Sequence, residues 1–169
     1  MSAATVTPHP LDLDLDPADA PGTVAVLGPD GRTVPVPDRL ALVEPLPGLP
    51  GYDVLSLEAL DDTATLFAAR SLPGAEVPLR LFLVAPGAFF PAYRPGTAAA
   101  VRLLDEGAGT ATGTGTGGAT VLLAVVHPVD EDHEAPTANL LAPVVVDVAS
   151  GRAVQTVLEG DWPLRARLA

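Results

Sequence analysis

The chain has 169 residues, enough for one domain with a buried core. Its 21 acidic residues face nine arginines and no lysine, a formal charge of −12 that repels phosphate backbones and argues against direct nucleic-acid binding. It has no cysteine, which excludes disulfides, thiolate catalysis and cysteine-ligated zinc, and no apolar run long enough to span a membrane.

Residues 1–22 combine Pro8, Pro10, Pro17 and Pro21 with the alternation Leu11-Asp12-Leu13-Asp14-Leu15-Asp16. Alternation with period two is a strand signal, but the density of prolines and charges predicts a disordered acidic tail. The stretch lacks the basic start and apolar centre of a signal peptide, so the expected location is cytoplasmic. Residues 23–27 and 33–36 read as two short strands about the turn Gly28-Pro29-Asp30-Gly31. A third apolar segment, 40–44, runs into Pro45-Leu46-Pro47-Gly48-Leu49-Pro50-Gly51, whose prolines and glycines forbid regular structure. The spacing of Val54, Leu57 and Leu60 behind the capping candidate Asp53 predicts one or two helical turns over 53–60. Residues 64–71 and 79–84 read as strands joined through Pro73-Gly74 and Pro78.

Residues 97–106 (TAAAVRLLDE) predict a helix, with Thr97 placed to cap it and Ala100, Val101 and Leu104 on one face. The run 107–118 (GAGTATGTGTGG) has no side chains to bury and reads as a flexible Gly/Thr-rich insertion. Residues 119–127 are apolar on both faces, the mark of a central strand covered on each side. The stretch 137–147 (TANLLAPVVVD) joins a polar start to three valines through Pro143. Valines in a run make a buried strand, while a proline there points to an edge position or a bulge. Asn139 is placed to satisfy backbone groups where that strand is interrupted. Ser150-Gly151 then reads as a tight turn, with 152–158 the returning strand of a hairpin. One long helix among many short strands predicts a mainly β fold: a small antiparallel, β-barrel-like single domain over 23–169, with one or two short helices.

The residue cluster most like a site is 127–134, where His127 and His133 accompany Asp130, Glu131, Asp132 and Glu134. Two readings stay open: an exposed acidic loop, or a divalent-metal or small-ligand site at the mouth of a barrel, with an enzyme as its furthest extension. Its spacing matches no zinc motif, so no metal and no cofactor are expected. Nor is there a catalytic constellation: Ser2, Ser56, Ser71 and Ser150 have no sequence company that would activate them, and the Thr/Gly run is not a phosphate loop. Aromatic residues make up only 4% of the chain, yet Phe89, Phe90 and Tyr93 fall within five positions. Adjacent phenylalanines on extended chain face opposite ways, so one is free to anchor in the core while its neighbour offers a protein-binding surface; both in the core is the alternative.

TANLLAPVVVD, followed by Gln155-Thr156-Val157-Leu158 and Trp162-Pro163-Leu164-Arg165, resembles the flagellar assembly factor family FliW. Residues 47–52 (PGLPGY) and 82–93 (FLVAPGAFFPAY) add to the resemblance, which runs in the same order over 23–168. It implies a cytoplasmic, non-enzymatic regulator that acts only by binding protein. Its implied partners are flagellin and the CsrA-type RNA-binding regulator that represses flagellin translation. Release of the factor by flagellin export then frees it to capture and antagonise the repressor. The expected partner-binding residues are Tyr52, Phe89, Phe90, Tyr93, Thr137, Asn139 and Pro143. The chain departs from the family pattern at Glu44, where an aromatic residue is usual, at Arg70, where an amide is usual, and at Ala85, where an acid is usual.

Overall fold

Gly28 to Gly31 reverse the chain between β1 (Thr23–Leu27) and β2 (Thr33–Pro37), which pair antiparallel as a hairpin of their own. The structure, a computed structural model, describes residues 22–106 and 118–168. The tail predicted over 1–22 and the insertion predicted over 107–118 lie outside the described residues, apart from Gly22 and Gly118. The main sheet begins with β3 (Arg39–Leu42), β4 (Val54–Ala59), β5 (Leu66–Ser71) and β6 (Arg80–Val84). A 3-10 turn at Pro86–Ala88 and helix α1 (Ala98–Glu106) follow. The sheet is completed by β7 (Thr120–His127), β8 (Thr137–Ala138), β9 (Val144–Asp147), β10 (Arg152–Gln155) and β11 (Ala166–Arg167).

Seven of these strands close into a barrel in the order β7-β6-β5-β4-β3-β10-β9, with β9 returning to β7. Strands that alternate in direction cannot do so all the way round an odd ring, so one neighbouring pair must be parallel. That pair is β3 with β10, where Arg152 and Ala153 lie beside Ala41 and Leu42. The turn that delivers β10 to this seam needs glycine. Gly151 has φ +70, and a Cβ there would sit 2.6 Å from the carbonyl oxygen of Arg39, which no side chain tolerates.

Each strand of the ring points alternate residues inward. Leu40, Leu55, Leu57, Phe67, Leu83, Val121, Leu123, Val144 and Val146 fill the interior, and Val26 and Val36 of the β1–β2 hairpin join the same cluster. The three consecutive valines of β9 are all buried because both faces are covered. Val144 and Val146 face the barrel interior, while Val145 lies with Val154 under Ala100 and Leu104 of α1. Burying a valine fully contributes about 1.5–3 kcal/mol, so the helix is what makes a third valine worth having on this strand.

Two expectations change here. Residues 53–60 form strand β4 rather than helical turns. Leu55 and Leu57 are buried, while Ser56 and Glu58 are turned outward, so period-two burial overrides the chance helical spacing of Val54, Leu57 and Leu60. The stretch 137–147 is not one bulged strand but two. Strand β8 pairs with Val126 and His127 of β7, whereas β9 pairs with residues 120–123 of the same edge. Pro143 ends the excursion between them. Strand β11 then adds to β8 outside the ring.

Candidate functional site

The loop after β7 folds on itself before the chain enters β8. The amides of Asp130 and His133 bond to each other's carbonyls at 3.2 and 3.3 Å, so both side chains project from one small turn. One carboxylate oxygen of Asp130 accepts from the Asp132 amide at 3.1 Å and meets His133 Nδ1 at 2.8 Å. The other accepts a bond from Arg165 Nη1 at 2.9 Å. The His133 hydrogen bond, aided by those from Arg165 and the Asp132 amide, holds the Asp130 carboxyl at about 2. Asp130 therefore ties the loop to the residue just before β11, across 35 positions of chain.

Beside this turn lie His127 and Thr137, directly opposed in the β7–β8 register. Burial, followed by the positive Arg165 nearby, lowers the His127 pKa, so the ring is held neutral. Its Nε2 and the Thr137 Oγ1 are both buried without a hydrogen-bond partner. Among the described residues, no three histidine, aspartate or glutamate side chains converge as a metal cage would require. The six polar residues read together from the sequence thus separate: Asp130 and His133 make a latch with Arg165, Glu131, Asp132 and Glu134 stay exposed, and His127 turns into the sheet. Arg165 was invisible as a member of this group, because nothing local marks a partner so far along the chain.

The seven residues expected to meet a partner divide by depth. Tyr93 is 3% exposed, Thr137 3% and Asn139 8%, and Pro143 is fully buried. The Tyr93 hydroxyl donates to the Leu140 carbonyl at 2.7 Å, and its ring meets Trp162 edge to face at 4.8 Å. Burial pushes its phenol up to about 12. The Asn139 Oδ1 accepts from the Ala142 amide at 2.9 Å, and Gln155 Nε2 donates to the Ala142 carbonyl at 2.9 Å. These bonds supply the backbone partners that β8 and β9 lose between them. Of these four, Tyr93 and Asn139 brace the chain through these bonds.

Phe89 is 36% exposed while Phe90 packs on the cluster around Tyr93, Leu140 and Leu158. One ring anchors and the other remains at the surface. Tyr52 is partly buried against the barrel core, its hydroxyl donating to the Val77 carbonyl at 2.9 Å. Of the three family departures, Glu44 is exposed, and Arg70 is exposed in an ion pair with Glu58 at 3.2 Å. Ala85 is fully buried, so that departure acts inside the fold. No described helix is long and apolar enough to cross a membrane.

The sequence profile of the family described as FliW protein matches residues 32–168. A solved structure, that of the flagellar assembly factor FliW, superposes with a TM-score of 0.60 over 88% of this chain and 97% of its own, at 19% sequence identity. An identity that low speaks for the fold. No curated protein sequence matches the chain.

Proposed function

The chain belongs to the FliW family, and from that premise we propose that it is a flagellar assembly factor working in the cytoplasm by partner exchange, without catalysis. It holds flagellin in one state and a CsrA-type RNA-binding regulator in the other, so that loss of flagellin frees it to antagonise the regulator. The observation that carries this reading is the family match across residues 32–168, which takes in the whole barrel ring and both appended strands. The formal charge of −12 supports it, because an RNA-binding regulator presents a basic surface and opposite fields speed association roughly 10 to 10³-fold.

Isothermal titration of the full chain against the cognate flagellin and the cognate regulator is the direct test. Both should bind, and prior saturation with flagellin should weaken binding of the regulator. A chain that binds neither protein overturns the proposal. The on-rate for the regulator should also fall with added salt, since the screening length shrinks from ~10 Å at 0.1 M to ~3 Å at 1 M. A salt-insensitive on-rate would remove electrostatic steering from the mechanism.

A further inference from the structure

Between the acidic loop and strand β11 lies an open hollow of about 440 Å³, lined among others by Glu131, Asp132, Glu134, Thr137, Arg165 and Arg167. We propose that this hollow receives a cationic side chain, lysine or arginine, from a basic protein partner. The inference rests on the reading of the chain as a binder of such a partner and names where one contact is made.

Charge gives the first reason. Arg165 is already engaged by Asp130 at 2.9 Å. With Asp130, the carboxylates of Glu131, Asp132 and Glu134 outnumber the two guanidiniums by two, so the hollow attracts a cation. Hydrogen bonding gives the second, independent reason. Thr137 is the deeply buried member of the lining, and its Oγ1 has no partner. His127 Nε2, opposite it in register, is also unpartnered. A hydroxyl oxygen accepts as well as donates, and the three exposed carboxylates accept. Lysine and arginine are the side chains that carry several donors and no acceptor. A buried polar atom left without a partner is costly, which is why its presence at the edge of a hollow points to a ligand.

The test uses isotopically labelled full chain followed by amide resonance shifts. It is titrated with N-acetyl-arginine amide and with N-acetyl-citrulline amide, the neutral analogue of the same shape, at matched chloride. The arginine compound should shift amides in 131–137 and 165–167 saturably, and citrulline should leave them in place. Combined Glu131→Gln, Asp132→Asn and Glu134→Gln should weaken the arginine effect at least tenfold. Thr137→Val, which keeps the shape and removes the hydroxyl, should weaken it several-fold. Shifts scattered without saturation over the acidic surface, or equal binding by the triple variant, overturn the proposal. Calorimetry of the triple variant with the basic regulator separates the two levels. If the parent binds the regulator and the variant binds it equally well, the hollow is not the contact, though the proposed function stands. If the parent binds no regulator, the proposed function fails while the arginine titration still decides whether the hollow takes a cation.

Discussion

The closed ring of seven strands and the flank built from β8, β11 and their loops are held by different forces. In the ring, long ladders enclose Phe67, Leu123 and their neighbours with no exposed surface, so its stability is a matter of apolar area and fit. In the flank, two strands of two residues each contribute little pairing. A smaller apolar cluster of Tyr93, Ala138, Leu140, Leu158 and Ala166 lies under it, and a set of side-chain bonds adds to this: Tyr93 to Leu140, Asn139 to Ala142, Gln155 to Ala142, and Arg165 to Asp130. Two carboxylates show the same contrast. Asp61, in the connection between β4 and β5 of the ring, is held by its own neighbours: burial opposes its charge, but Thr63, the Thr65 hydroxyl and the Thr65 and Leu66 amides outweigh this and hold it at about 2. Asp130 reaches the same value first through the His133 hydrogen bond in its own loop, but it also draws on Arg165, 35 positions along the chain. A tightly filled ring thus carries a flank that depends more on individual side-chain ties.

The sharpest way to break the comparison is to empty the ring. Phe67→Ala should cost about 3–5 kcal/mol of unfolding free energy, because the cavity lies where nothing can collapse into it. Denaturant unfolding should show a lowered midpoint with all probes still moving together. A loss below 1 kcal/mol would mean that the ring is not the stability core.

Asn139→Ala attacks the flank and should cost about 1–3 kcal/mol, the penalty for a buried Ala142 amide left without its acceptor. Loss of partner binding should follow only as far as the loss of folded protein. A variant that melts like the parent yet has lost one partner would make Asn139 a contact rather than a support.

The smallest effect is in acid. A carboxyl whose folded pKa is depressed stabilises the fold above its unfolded value of about 3.8, and that contribution is lost as pH falls toward about 2. His127, whose folded pKa lies below 6.5, adds to the loss once pH drops under that value, since the unfolded chain takes the proton first. Asp61→Asn should flatten the acid limb of the stability curve between about pH 4 and pH 2. Asp130→Asn, at an exposed bridge, should do so less and only at low salt. Equal effects from the two variants would erase the distinction between ring and flank.

Much of this was present in the sequence alone. Turn residues and alternating apolar positions marked most of the strands, and helical spacing marked α1, because each signal is local. The stretch 137–147 announced a buried valine strand and an amide beside a proline for the same reason. Three things were decided only by tertiary structure. Residues 53–60 carry helical and strand spacings at once, and the neighbours β3 and β5 chose the strand. Whether Thr137 and Asn139 lie inside or on the surface depended on β7 and β11 flanking the first and on the loop around Ala142 folding back on the second. The joining of Asp130 to Arg165, and with it the hollow beneath the acidic loop, depended on a contact across 35 residues. Periodicity reports which way a residue faces along its own segment, but only the closing of the ring decides what stands opposite.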